Sequence, residues 1–372
     1  MSNFIVDKTY SISMKTLIAL GSENLNNPSS SNISVGSTGL VLNTLYMGSA
    51  WKNLTNTGIE YDIVSISSTG QYQAVINQTN IFISSNYGST WTTVSSFDIS
   101  PTGGRWINIS MSLSGQYMTA TYYTSFYTSS DYGITWNRSF TPNSTNSWTG
   151  ISISSTGQYQ TVVSTGTTIG GSIPWIYLSS DYGKTWVPIL TTFNNQGYDL
   201  VKISSTGQYQ IVSTISTAGQ TYGLCMSSDY GNTWSFNSNL VVPISSILNI
   251  SISSSGQYQT IAVFNSGLWY SKDYGSTFHI SDANTNAGWV GLTMTSTGQY
   301  QIATASSFRG TITPYLLYIS VNYGVNWVQI MTTTLYWADI MISSTGQYII
   351  ASAGTTNNTA INDIYLPWTP TQ

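Results

Sequence analysis

The sequence predicts an all-β fold: a β-propeller of about seven four-stranded blades, its ring closed by N- and C-terminal segments. Three observations carry this expectation. A Ser-Thr-Gly-Gln-Tyr element or a close variant recurs seven times, an Asp/Asn-Tyr-Gly element recurs six times in step with it, and apolar residues alternate with small polar ones around both.

The first element places its glycine at Gly70, Gly115, Gly157, Gly207, Gly256, Gly298 and Gly346, about 46 residues apart on average. A four-stranded blade typically takes about 40 to 45 residues. Each copy follows an alternating run such as Val64-Ser65-Ile66-Ser67 or Ile151-Ser152-Ile153-Ser154, which buries one side chain in two and reads as an innermost strand a. The glycine supplies the positive φ of a tight hairpin, after which Gln71-Tyr72-Gln73-Ala74-Val75-Ile76 resumes alternation as strand b. Tyr72, Tyr117, Tyr159, Tyr209, Tyr258, Tyr300 and Tyr348 share one position and are expected to pack between neighbouring blades.

The second element ends 21 to 29 residues after each of the first six glycines. Ser130-Asp131-Tyr132-Gly133-Ile134-Thr135-Trp136 represents it, and its acidic or amide position is Asn86, Asp131, Asp181, Asp229, Asp273 or Asn322. These segments resemble the Asp-box, or BNR repeat, S-x-D-x-G-x-T-W, of sialidases, sortilin-type receptors, some glycosidases and lectin propellers. The resemblance implies a hairpin between strands c and d. There the Asp or Asn accepts local hydrogen bonds, the glycine takes the left-handed position and the tryptophan fills space between sheets. All six Asp-box residues are thereby read as structural, with no catalytic residue among them.

After Gly346 the last copy has strands a and b and a candidate strand c from Ile361 to Leu366, but no Asp-box. Residues 47–54, centred on Trp51, look like a decayed Asp-box hairpin able to supply the missing strand d and close the ring. The rival count is eight blades, with Gly36-Ser37-Thr38-Gly39 opening a short blade of its own; the 12 residues from Gly39 to Trp51 favour seven. Residues 1–30 carry no repeat and read as an arm for docking on the propeller or an assembly partner, and residues 31–372 as a single propeller domain.

Composition narrows the function. Only 6% of the 372 residues are charged and the net charge is −4, which gives no electrostatic footprint for nucleic acid and no polybasic membrane patch. No apolar run is long enough to insert into a membrane. One cysteine, Cys225, and one histidine cannot form a disulfide or a His/Cys zinc site, so neither metal nor cofactor is expected.

The turns a–b and c–d are nearly uniform, whereas the b–c loops vary, which marks their face as free to specialise. Strand a begins on that face with an aromatic residue in six of seven copies: Tyr61, Trp106, Trp148, Tyr198, Trp289 and Trp337, with Ile247 as the exception. These rings, with Arg105 and Arg309, are the candidate ligand-binding residues, and two readings stay open: packing at blade junctions, or platforms on which a sugar face stacks. Two positions on, Ile63, Asn108, Gly150, Leu200, Asn249, Gly291 and Asp339 supply polar partners to some rings. A second aromatic set, Tyr87, Tyr132, Tyr182, Tyr230, Tyr274 and Tyr323, projects from the Asp-box turns, either covering its own hairpin or forming a sticky rim.

The resemblance to sialidases implies an arginine triad, a Tyr/Glu nucleophile pair and an aspartic acid. The chain has only Arg105, Arg138 and Arg309, with Arg138 on an outer strand, and its glutamates are Glu23 and Glu60. A two-carboxylate glycosidase could draw on Asp62, Asp199 and Asp339 near the starts of strand a. The reading that asks least is a non-catalytic, lectin-like binding propeller for glycan or another protein-surface ligand. The runner-up is a structural or attachment component of a virus particle or cell surface, an extracellular or virion-surface location being favoured over the cytoplasm.

Overall fold

The computed structural model describes residues 33–34, 41–42, 51–53 and 63–367, excluding 78, 95–103, 124, 140–146, 166–175, 190–196, 215–222, 239, 241–246, 284–287, 307–314, 334 and 356–362. It is an all-β propeller of four-stranded blades. Six four-stranded antiparallel sheets are each contiguous in sequence. Their innermost strands are Ile63–Ile66, Trp106–Met111, Trp148–Ile153, Tyr198–Ile203, Ile247–Ile252 and Gly288–Met294. A further four-stranded sheet is composite: Leu335–Ile342, Ile349–Thr355 and Asp363–Pro367 are joined by Trp51–Asn53 from the other end of the chain, with Trp51 opposite Pro367 and Asn53 opposite Tyr365. The innermost strands pack on one another in chain order, and Leu335–Ile342 packs back on Ile63–Ile66. Ile33–Ser34 and Val41–Leu42 form a separate two-stranded ribbon. The proposed arm, residues 1–30, lies outside the described residues.

The a–b turn shows why the repeat is written as it is. In the third copy the Ser154 and Gly157 backbones close the turn, and the Ser154 hydroxyl accepts from the Tyr159 N–H at 3.0 Å. Gly157 has φ +86°, and a Cβ there would press on the Tyr117 ring of the preceding sheet, at 2.6 Å from its Cγ. The buried Gln160 then links two sheets, donating to the Gly157 carbonyl at 3.0 Å and accepting from the Thr119 hydroxyl at 2.6 Å.

The Asp-box hairpins are locked by their own side chains. Asp181 accepts from the Thr185 N–H (2.9 Å), the Thr185 hydroxyl (2.7 Å) and the Ser179 hydroxyl (2.8 Å), while the Gly183 N–H donates to Ser179 Oγ. Trp186 donates its indole N–H to the Gly183 carbonyl, which lays the ring over the hairpin. Desolvation by burial resists ionisation of Asp131, Asp181, Asp229 and Asp273, but these hydrogen bonds outweigh it and hold each carboxyl below its ordinary value.

In every described hairpin of this kind the tyrosine before the glycine also has positive φ, from 59° at Tyr87 to 65° at Tyr230 and Tyr323. Left-handed backbone costs an L-residue roughly 1–2 kcal/mol. Each of these rings packs against the a–b tyrosine of the preceding sheet: Tyr132 on Tyr72 at 4.6 Å, Tyr182 on Tyr117 at 4.7 Å and Tyr323 on Tyr258 at 4.2 Å between centroids. Tyr87 reaches Tyr348 at 5.7 Å and so extends the series across the junction with the composite sheet. Aromatic pairing worth about 0.5–1.5 kcal/mol beyond area burial offsets most of the backbone cost.

Candidate functional site

The aromatic first positions of strand a are interior. Trp148, Tyr198 and Trp337 are 0% exposed and Trp106 and Trp289 2%. Trp148 meets Phe126 of the preceding sheet edge-on at 5.1 Å and Tyr177 of its own sheet at 5.4 Å; Trp289 meets Tyr318 at 5.1 Å. Of the two readings left open for these five rings, their burial favours junction packing over the stacking platforms of a ligand site. The cause is a one-residue register shift in each inner strand from the second to the composite sheet, for example between Trp148 and Gly150, Trp289 and Gly291, and Trp337 and Asp339. Strict alternation would keep Trp148 on the side of Gly150 and Ser152; the shift moves it into the cluster with Ile151 and Ile153. Of the remaining candidates, Arg105 is exposed, and Tyr61 and Arg309 lie outside the described residues, as does most of the variable b–c loop sequence.

The polar positions two residues on do approach the axis, where several tie neighbouring inner strands together. Asn249 donates to the Val290 carbonyl of the next sheet at 2.9 Å. The Asp339 carboxylate accepts from its own neighbour Ile340 (2.9 Å) and, across the junction with the first sheet, from the Val64 N–H (3.1 Å). Burial raises its pKa to about 6 despite those bonds and the Lys202 charge. Burial raises Asp199 as well. Asp62, the third carboxylate considered for acid/base chemistry, is not among the described residues. Arg138 is on an outer strand with its guanidinium on Ser125 Oγ at 2.8 Å. The Cys225 thiol is buried and pushed up to about 12.

A groove of about 460 Å³ opens at the junction of the sheets that begin with Tyr198 and Ile247, on the side of the Asp-box turns. Tyr209, Trp234, Phe236 and Tyr274 present aromatic surface to it, with Asn237 and Ser276 among the polar groups at its edges. Each wall has a local cause. Tyr209 and Tyr274 are one of the inter-sheet pairs, 4.6 Å apart. Trp234 is pinned over its hairpin by its bond to the Gly231 carbonyl at 2.8 Å. Phe236 lies over Gly223, where a Cβ would meet its ring at 2.5 Å. Asn237 bridges the junction by donating to the Gly275 carbonyl at 2.7 Å. Partly exposed aromatic faces bordered by hydroxyls and an amide suit a ligand with both apolar faces and hydroxyl edges. Sequence reasoning put its candidate ligand-binding residues on the opposite face and read Tyr274 on this side as cover for its own hairpin or part of a sticky rim; the signal that could have found the groove is Phe236, the one phenylalanine directly following an Asp-box Trp-Ser pair.

A BNR-Asp box repeat is recognised at residues 176–189, the hairpin that carries Asp181. Similar solved structures are propellers. The GH74 xyloglucanase of Xanthomonas campestris superposes with a TM-score of 0.62 at 13% identity, covering 85% of this chain and 53% of that one, so this chain spans about half the enzyme's length. YCF48 of Cyanidioschyzon merolae gives 0.61 at 13% identity over 86% of this chain and 99% of that one. YCF48 bound to D1 peptide gives 0.59 at 13% identity over 86% and 97%. A search of curated proteins finds no match to this chain. The repeat and these neighbours are those of a BNR-type propeller.

Proposed function

We propose that this chain is a non-catalytic, seven-bladed binding propeller that recognises glycan, lectin-like, through shallow sites of which the Tyr209–Trp234–Phe236–Tyr274 groove is the first. The composite sheet is read as the seventh blade, fastening the two ends of the chain. The groove carries the reading: its pairing of fixed aromatic faces with neutral hydroxyl and amide groups suits a sugar, and weak sites of this kind gain by multivalency. The Asp-box carboxylates support the non-catalytic part, because their oxygens are engaged within their own hairpins. Arg105, Tyr61 and Arg309 remain proposed contacts for the variable face.

The test is a glycan-array screen of the purified chain beside Phe236→Ser and Tyr274→Asn, the second chosen because asparagine tolerates the positive φ of Tyr274. Saturable glycan binding that both variants weaken at least about tenfold, with melting transitions retained, is expected. Turnover in a fluorogenic sialidase and glycosidase panel would overturn the non-catalytic part.

A peptide ligand is the second reading, favoured by the peptide-bound state of YCF48. It accords with a structural or attachment role at a cell or virion surface, in which residues 1–30 engage an assembly partner. An array without signal, together with capture of a peptide in the same groove, would replace the glycan by this ligand.

A further inference from the structure

A second cavity lies on the axis, at the far end of the inner strands from the buried aromatic layer, and it does not depend on the glycan reading. It measures about 180 Å³, room for roughly six waters at about 30 Å³ each. Equivalent positions of the seven inner strands line it: Ser65, Ser110, Ser152, Lys202, Ser251, Thr293 and Met341. Five are small hydroxyl residues, Met341 is apolar, and Lys202 is the single charged group in the lining.

These groups differ in how they are engaged. Ser152 Oγ accepts from the Ile203 N–H of the next sheet (3.1 Å) and Thr293 Oγ1 from the Ile342 N–H (3.3 Å). Used as acceptors, both hydroxyls keep their protons available to point at a ligand. The Ser65, Ser110 and Ser251 hydroxyls have no hydrogen-bond partner among the described residues. Lys202 likewise forms no ion pair or side-chain hydrogen bond with a described residue; Asp339 influences it only through the field across the axis. In a protein with so few charges, a lysine within the ring and without a contact partner is costly.

We propose that this axial vestibule binds a small oxyanion, a carboxylate or a phosphate, with the Lys202 ammonium as its counter-ion and the encircling hydroxyls as hydrogen-bond donors. Cation and donors converge from different sheets, so the site exists only when the ring is assembled. Burial holds the Lys202 pKa below its ordinary value and Asp339 pulls it back up; a bound anion adds a second such pull, closer to the amine. Asp339 is the charged described residue that acts on Lys202 across the axis, and its negative charge competes with the ligand.

Isothermal titration of the full chain with sodium phosphate, and separately with sodium acetate, at pH 7 and constant ionic strength tests the proposal. Saturable binding of at least one of them is expected, weakened at least tenfold by Lys202→Met, retained by Lys202→Arg and strengthened severalfold by Asp339→Asn. Acetate binding alone would assign the site to carboxylates, and phosphate binding alone to phosphate. A wild-type chain that binds neither, or a folded Lys202→Met that binds equally well, overturns the proposal. Should Lys202→Met fail to fold, Lys202→Arg and Asp339→Asn still decide: loss of binding in the first and no gain in the second would show Lys202 to be a structural counter-charge.

Discussion

The two ends of the inner strands are built from the same repeat and do opposite things. At their starts, tryptophan or tyrosine is moved off the axis by a register shift and disappears into the sheet junctions, with Trp148 and Trp337 0% exposed. Toward their ends, small hydroxyl residues hold the same alternation and leave an open space around Lys202. The difference teaches that residue size and register together decide whether a ring is sealed or accessible. A large ring at a barrel-like axis is not by itself a platform.

The largest expected effect falls on the sealed end. Trp148→Ala should cost about 3–5 kcal/mol in equilibrium unfolding, because the rings of Phe126 and Tyr177 lose their edge-on partner. A cost below about 1 kcal/mol would break the comparison by showing that the junction collapses around the loss.

The next effect falls at the a–b turn. Gly157→Ala should cost about 1–3 kcal/mol, since the new methyl both meets the Tyr117 ring and sits at φ +86°.

The pH dependence of the melting temperature separates rim from axis. Asp131, Asp181, Asp229 and Asp273 have lowered pKa values, so their contribution is present above their ordinary 3.8 and is lost as pH falls below it. Asp339 is raised from 3.8 to about 6, so between these values the folded state binds the extra proton and stability declines as pH rises. Melting temperature is expected to climb up to about pH 4 and then to slope down toward pH 6, and Asp339→Asn should reduce the second limb without changing the first, the buried Asp199 keeping part of it.

The smallest effect is expected at Tyr182→Gly, within about 1 kcal/mol of the parent. It removes the Tyr117 pair and the left-handed backbone penalty together. A large loss would mean that the tyrosine pairs contribute more than their geometry indicates.

Much of the fold was legible because the repeat writes its own hydrogen bonds. Ser154, Gly157 and Gln160 close a turn, and Asp181 with Thr185 locks a hairpin, each within a few residues of sequence. The register shift was not legible. One additional residue in a strand leaves composition and alternation almost unchanged, yet it moves Trp148 to the other side. The site was less legible still. The groove needs Phe236 and Tyr274 from neighbouring sheets, and the vestibule needs Lys202 to stand among serines of other repeats. Both are products of assembly, and a single copy of the repeat does not contain either.

The pairing of Trp51–Asn53 with Asp363–Pro367 also has a temporal side. The earlier strand leaves the ribosome some 310 residues before its partner, an interval of roughly 15–60 s at about 5–20 residues per second. For that time the sheets beginning at Ile63 and Trp106 can form by themselves, but Trp51 has no sheet to join and its backbone edge remains available to any other strand in the cell. Emergence of Asp363–Pro367, rather than synthesis of any earlier repeat, is then the event that gives Trp51–Asn53 its partner, and a chaperone that shields the early segment would raise the yield more than one acting on the middle of the chain.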